Sequence, residues 1–421
     1  MTKKVAHTFP KNFLWGVATS AHQVEGGTYN QWSVWELEHA KTLAAQAEYQ
    51  FGDLASWKTY SAEAKQPETY VSGKGVDHFN LYEQDIALAA KMGLNAFRFS
   101  IEWSRIEPAE GRWDAAAIAH YKKYIACLKK HNLEPVMTLF HFTLPVWFAE
   151  KGGFERRSNV RYFVRFCEKV MQELGASVKY VLTINEPEIY ASHSYLTGQW
   201  PPNIQHKRKF MTVLNNLAYA HNKAAVVIRA TRPRAKISFA KNSSYIYPGD
   251  DSVLSVRTAQ WQQYWKDDYF MTRVVKRCDF IGVNYYFSDR VYGYRVHNPN
   301  EIVNDLGWDM APENIQFVLE RLSRKYKLPI MVTENGLADG TDEHRKWWLT
   351  KTLVGLLKAQ EEGVELIGYM HWSLLDNFEW RMGYWPKFGL LAVDRTTMER
   401  KPRPSAVWFS KTIKKLRGEA V

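Results

Sequence analysis

The chain has 421 residues, 46% hydrophobic and 24% charged, and its 17 Trp, 23 Tyr and 21 Phe exclude a disordered polypeptide, which is poor in aromatics. Fifty-six basic and 44 acidic residues leave a net charge of +12; a cationic excess alone favours nucleic acid or an anionic surface, whereas aromatics beside polar groups favour sugars. Cys127, Cys167 and Cys278 are odd in number, far apart and without a CxxC pair, which argues against a disulfide framework or a zinc site and for small buried thiols in a reducing compartment, the cytoplasm.

Met1 to Pro10 carries two lysines with no apolar run behind them, so no signal peptide is expected, and no window of about 18 apolar residues predicts a membrane span. In chain order, β-rich runs fall at Phe13–Thr19, Ala96–Ser100, Pro135–Phe140, Tyr180–Asn185, Lys236–Ala240, Phe280–Tyr286, Ile330–Glu334 and Leu366–Ser373. Helical patterns lie between them at Tyr82–Met92, Ile118–His131, Val160–Leu174, Leu214–Ala230, Ile315–Tyr326 and Trp347–Glu362. Strands alternating with helices give a parallel sheet, and eight such runs predict an α/β fold, one (β/α)8 barrel over residues 1–421 with elaborated βα loops. A doubly wound open sheet competes, but no GxGxxG follows the first strand. The connection from Gly26 to Val76 is long, and Ala40–Tyr49 within it reads as a helix covering the barrel mouth.

Barrel enzymes build their sites at the C-terminal ends of the strands. Unusual polar residues should gather there, and they do. Strand one leads into Gln23 and Glu25; strand two holds Arg98; strand three ends in His141; strand four in Asn185 and Glu186. Strand five, ending near Asn242, is weakly marked. Strand six ends in Asn284, Tyr285 and Tyr286, strand seven in Glu334 and Asn335, and strand eight in His371 and Trp372, followed by Asp376, Asn377, Glu379 and Trp380. Each has a bland reading alone: Glu186-Pro187 as a strand-to-helix junction, Asn335-Gly336 as a turn, Arg98 as a buried ion-pair partner, His141 as a satisfied buried histidine. Their convergence on one rim is what the bland readings leave unexplained.

Two carboxyl groups on opposite strands, Glu186 and Glu334, suit glycosidic bond cleavage. That reaction needs one group to protonate the leaving oxygen and another to meet the oxocarbenium-like charge. A carboxylate beside Arg98 is kept ionised, and a carboxyl close to another carboxylate without a cation is pushed toward its protonated form. Gln23, His141, Asn185 and Glu379 offer short polar groups for sugar hydroxyls, and Trp372 and Trp380 offer flat faces for a pyranose ring.

From Phe9 to Ala392 the sequence resembles family-1 glycoside hydrolases, the retaining β-glycosidases, through FPKNFLWGVATSAHQVEGG, the paired TxNEP and TENG motifs 148 residues apart, and FEWRMGYWPKFGLLA. The resemblance implies Glu186 as acid/base and Glu334 as nucleophile, Arg98 and Tyr286 holding the nucleophile, and Asn284 orienting it. It implies Gln23, His141, Asn185, Glu379 and Trp372 as ligands of the cleaved sugar with Trp380 beside them, and Trp308 as the platform for the leaving group. It further implies a small-molecule β-glycoside or oligosaccharide substrate, gluco-configured or also galacto- or fuco-, with no cofactor and no metal. Departures are Phe142 where relatives often have Trp, Thr143 where they have an acid, and Glu188 after the NEP motif; the 187–284 region is also short. Relatives acting on 6-phosphorylated sugars carry serine where Glu379 stands, so an unphosphorylated sugar is expected.

A non-catalytic sugar-binding relative would have lost a carboxylate, and both are present. Nucleic-acid binding has no recognisable module to support it. Half of the charge excess lies after the motifs: eight basic residues (Arg395, Arg400, Lys401, Arg403, Lys411, Lys414, Lys415, Arg417) against Glu399 and Glu419. With Phe409, Ile413 and Leu416 at helical spacing, this reads as a last helix with a solvated cationic face.

Overall fold

A computed structural model describes residues 9–418, so the amino-terminal lysines and Glu419 lie outside the described residues. Eight strands form the barrel: β1 (Leu14–Ala18), β2 (Ala96–Ser100), β3 (Glu134–Phe140), β4 (Tyr180–Asn185), β5 (Lys236–Pro248), β6 (Ile281–Tyr292), β7 (Ile330–Asn335) and β8 (Leu366–Trp372). All neighbours pair in parallel. β1 lies between β2 (Gly16↔Ala96) and β8 (Leu14↔Gly368), and pairing of β5 with β6 (Ala240↔Gly282) closes the ring. The fold is therefore the closed parallel barrel, not the open doubly wound sheet.

The helices used below are α1 (Gln31–Phe51), α2 (His78–Lys91), α3 (Ala115–Lys130), α4 (Val160–Leu174), α5 (Pro187–Tyr195), α6 (Lys207–Thr231), α7 (Val253–Gln263), α8 (Ile315–Tyr326), α9 (Arg345–Glu361) and α10 (Pro404–Leu416). Strand alternation sorts side chains between two cores. In β2, Ala96 faces the barrel interior with Val136, Leu182, Ala240, Met331 and Met370, while Phe97 and Phe99 face the helical shell. Arg98 shares the inward parity of Ala96, which delivers a guanidinium to the barrel axis. The interior is tight: a Cβ at Gly16 would lie 2.2 Å from Met370 Sδ and 2.8 Å from Ala96 O, so glycine is required there.

Two sequence expectations need correction. β5 and β6 run on to Pro248 and Tyr292, well past the expected ends at Ala240 and Tyr286, because the two strands continue to pair beyond the barrel rim as far as Pro248↔Val291. The carboxy-terminal basic residues are not all a solvated face. Arg400 pairs with Asp85 and Arg403 with Asp376, both buried. The expected helix is α10, docked through Phe409 and Ile413.

The helix expected inside the long first connection is larger than Ala40–Tyr49. It starts at a capping box in which the Asn30 side chain accepts from Ser33 N and the Ser33 hydroxyl accepts from Asn30 N. It does cover the mouth: Trp32 packs 4.9 Å from Trp380, ring centre to ring centre.

Candidate active site

The strand ends converge on a pocket of about 330 Å3, within the range of small-molecule sites. Its lining includes Gln23, His141, Asn185, Glu186, Tyr286, Trp308, Glu334, Trp372, Glu379 and Trp380. Arg98 and Asn284 stand behind this lining, fully buried, and reach it through hydrogen bonds. Glu25, His371 and Asp376, also marked at strand ends, do not take part. Glu25 pairs with Arg105 and Tyr121, His371 packs against Tyr369 and Phe409, and Asp376 pairs with Arg403. Asn335 ends β7 rather than forming a turn; its amide knits β7 to Tyr285 O, Trp348 and Tyr369. Gly336 is glycine because Trp372 O would lie 1.8 Å from its Cβ.

The two glutamates have opposite surroundings. Glu334 receives one donor on each oxygen: Arg98 Nη1 to Oε1 at 2.5 Å and Tyr286 Oη to Oε2 at 2.6 Å. Arg98 is itself fixed by Thr138 Oγ1, Thr333 O and Asn185 Oδ1. Burial and the neighbouring Glu334 charge keep the Tyr286 phenol well above its usual range, so it stays a neutral donor. Among the described residues Glu186 has no arginine partner. Its Oε1 accepts from Asn284 Nδ2 at 2.8 Å and Asn242 Nδ2 at 3.0 Å. Burial first, and the charge of Glu334 second, push its carboxyl up to about 7, against the two amides and Arg98, which favour the charged form. One group of the pair is thus held by a cation and a phenol, and the other exchanges its proton near neutrality.

The backbone at Glu186 is unusual as well. With φ 40° and ψ 63° it sits in the left-handed region as the cap of α5, with Pro187 following. β4 shifts register against β5 between Leu182 and Asn185, a local irregularity of the kind that re-aims side chains at barrel rims.

Asn284 was expected to orient Glu334. Its Nδ2 instead donates to Glu186 Oε1 and Asn185 Oδ1, and its Oδ1 accepts from the Thr333 hydroxyl. It therefore serves Glu186 directly and touches β7 only one residue before Glu334. Asn242, the weakly marked end of β5, is a second direct partner of Glu186.

The sugar-facing residues form a second arc. Asn185 Nδ2 donates to His141 Nε2 at 3.2 Å, while His141 Nδ1 has no protein partner among the described residues. Burial, then Arg98, hold His141 well below its usual range, so the ring is neutral. It stacks on Trp372 and Trp380 with centroids 5.9 and 6.1 Å away. Gln23 Nε2 donates to Phe378 O at 2.7 Å and Asn377 Oδ1 at 3.1 Å, and lies 3.5 Å from Glu379 Oε2. It braces the loop that carries Glu379. Protein mass around the Glu379 carboxyl, then Glu334 and Glu186, raise it to about 8 although part of its side chain opens to the pocket. Its charge is therefore weaker at neutral pH than the sequence reading assumed. Opposite this arc, Trp308 forms a wall with Tyr286, Phe287 and Phe388.

Of the sequence departures, Phe142 lines the pocket beside Trp380 and offers no donor. Thr143 Oγ1 donates to Glu102 Oε2. Glu188 turns away from the pocket to a buried Lys241, and Ile189 lines the pocket in that stretch. Sequence reasoning missed His193, Gln199, Trp200, Arg381 and Met382, which also line the pocket. They come from loops and α5 rather than strand ends; for Arg381 and Met382, adjacency to Trp380 was the available signal.

The sequence profile described as Glycosyl hydrolase family 1 matches residues 5–282 and 271–417. Beta-glucosidase A of Thermotoga maritima is 30% identical over 96% of this chain and 98% of its own length. An aryl-phospho-beta-D-glucosidase of Bacillus subtilis is 29% identical over 97% of each. Among solved structures, a beta-glycosidase from Pyrococcus horikoshii superposes with a TM-score of 0.84 at 34% identity, covering 97% of this chain and 95% of that one. Thermotoga maritima beta-glucosidase in complex with glucoimidazole gives 0.85 at 27% identity over 98% and 100%.

Proposed function

Because the chain belongs to glycosyl hydrolase family 1 and is a glycoside hydrolase, we propose that it is a retaining exo-β-glycosidase that removes terminal β-D-glucosyl residues, with β-D-galactosyl and β-D-fucosyl residues as further substrates. Glu334 attacks the anomeric carbon and forms a covalent glycosyl intermediate. Glu186 first gives its proton to the leaving oxygen and then takes one from water. The observation that carries this reading is the asymmetry of the pair: a cation and a phenol on Glu334, two amides and a raised carboxyl on Glu186. The second oxygen of Glu186 has no protein donor among the described residues, so it is the atom that carries the proton.

Gln23, His141, Asn185 and Glu379 bind the hydroxyls of the cleaved sugar, Trp372 and Trp380 bound its ring, and Trp308 faces the leaving group. The sugar is unphosphorylated. The two cations of the following loop that lie nearest have protein partners: Arg381 donates to Gln50 Oε1, and Lys387 to Glu63 and Tyr384 O. All three cysteines are free, in keeping with a reducing cytoplasmic location.

Proton NMR of the first product from an aryl β-glucoside tests the mechanism. The β-anomer should form first; the α-anomer first would overturn double displacement. A panel of aryl β-glucosides, galactosides, fucosides and mannosides, read as kcat/KM, tests the glycone.

A further inference from the structure

β5 carries a charge where its neighbours carry hydrocarbon. Ala240 takes the inward parity of the strand with Asn242, which lines the pocket, while Ile237 and Phe239 take the outward parity and pack in the core between barrel and helices. Lys241 is the next outward residue, and its side chain is fully buried. An ammonium there forfeits its hydration.

A dense set of oxygens replaces that water. Lys241 Nζ donates to Glu188 Oε1 at 3.0 Å, to Asn242 O at 3.3 Å and to Lys266 O, and Asp267 Oδ1 lies 3.3 Å away. These oxygens come from three elements. Glu188 sits in the first turn of α5, two residues after Glu186. Asn242 belongs to β5 itself. Lys266 and Asp267 belong to a π-helical turn, Tyr264–Asp268, that follows α7; such turns are rare and recur at functional sites. Glu188 is also the residue by which the chain departs from its relatives after the NEP motif, and its carboxylate turns from the pocket to Lys241.

The tie falls where the sheet is irregular. β4 ends at Asn185, opposite Ala240, and the main-chain bond from Glu186 N to Ala240 O is 2.8 Å. The register of β5 against β4 shifts just before this point, and its register against β6 shifts just after, between Ser243 and Tyr245. Across this stretch Asn242 Nδ2 reaches Glu186 Oε1, a carboxyl whose own backbone is left-handed at φ 40°. Lys241 holds both sides of that bond: the carbonyl of the residue that gives the amide, and the helical turn that follows the acceptor.

We propose that Lys241 is a positioning residue for the acid/base, fixing Asn242 and the first turn of α5 so that the Glu186 carboxyl meets the leaving oxygen. It touches no substrate and acts through these two contacts. The inference rests on the reading of Glu186 as the proton donor.

The test compares kcat/KM for 2,4-dinitrophenyl β-glucoside, whose leaving group needs no proton, with phenyl β-glucoside, whose leaving group does. In Lys241→Met, shown folded at the assay temperature by near-ultraviolet circular dichroism, the phenyl glucoside should lose about thirtyfold or more and the dinitrophenyl glucoside no more than about threefold. In Lys241→Met/Asn242→Ala the phenyl loss should fall well short of the product of the two single losses, because both act on one carboxyl. A merely structural role would lower both substrates alike, and that result, or a strictly multiplicative double variant, overturns the proposal. If Lys241→Met does not fold, Glu188→Ala decides: it keeps the pair with Asp267, and its phenyl loss should exceed its dinitrophenyl loss by about fivefold or more. Equal losses there overturn the proposal. Glu186→Ala, assayed alongside, should show the same split in full. If it does and the other variants do not, the positioning role falls and the glycosidase reading stands; if it shows no split, both fall.

Discussion

The raised carboxyl of Glu186 depends on a charge that can be removed with little change of shape. Glu334→Gln keeps the side-chain size and deletes the negative charge, the second-ranked cause of the rise from 4.5 to about 7. Two like charges about 5 Å apart, the spacing of the retaining class, repel by roughly 3 kcal/mol at an effective dielectric constant of about 20, or about 2 pH units. Burial is the larger cause, so the share of Glu334 lies toward the lower end. Losing Glu334 also leaves Arg98 without its carboxylate, and the free cation favours ionised Glu186. Both effects act in one direction, and the Glu186 pKa should fall by about 1–2 units in the variant. The assay is a carbon-13 NMR titration of carboxyl-labelled glutamate, with Glu186→Gln used to assign the resonance. A Glu186 value that stays near 7, or rises, would refute the charge-coupling argument and leave burial as the sole cause.

Three further outcomes follow from the same structure. Folded Glu186 and Glu379 hold protons that unfolded carboxyls release above about 4.5, so their contribution to stability is complete below that pH and is lost as pH rises through about 7 and about 8. Melting curves from pH 5 to 9 should therefore show Glu379→Gln gaining on the wild type as pH rises; parallel curves would contradict this. Lys241 is buried between Glu188 and Asp267. Burial pulls its pKa down, but the two acids more than offset that. Lys241→Met leaves both acids without it and should cost about 3–5 kcal/mol in denaturant unfolding; a loss under about 1 kcal/mol would show the ion pair is dispensable. A 4-nitrophenyl β-glucoside 6-phosphate should be cleaved at least about tenfold less efficiently than its parent, increasingly so as Glu379 ionises through about pH 8; equal rates would remove the unphosphorylated assignment.

The barrel was largely legible in the sequence because a buried parallel strand is a short, continuous apolar run bounded by polar residues. β2 and β4 begin and end where the runs do. The extensions of β5 and β6 were not legible, since pairing past the rim leaves a half-exposed mixed pattern that resembles a loop. The site was legible through its carboxyl groups, arginine and histidine, residues rarely buried without purpose. The reading was too inclusive where polar strand-end residues serve the scaffold, as Glu25, Asn335 and Asp376 do. It was too narrow where an amide does the work: Asn242 is only weakly marked until β5 and β4 are placed side by side and its Nδ2 lies 3.0 Å from Glu186. Arg381 and Gln199 were hidden for a similar reason, because loop residues come to line the pocket only through tertiary packing.

The central claim is that Glu334 bonds covalently to the sugar while Glu186 handles the proton. Glu334→Ala, assayed with an aryl β-glucoside bearing a good leaving group, should lose hydrolysis, and added azide should restore turnover from the vacated side. The product should be the α-glucosyl azide, identified by its anomeric proton coupling. Undiminished hydrolysis by Glu334→Ala, or rescue that yields the β-azide, would contradict the assignment.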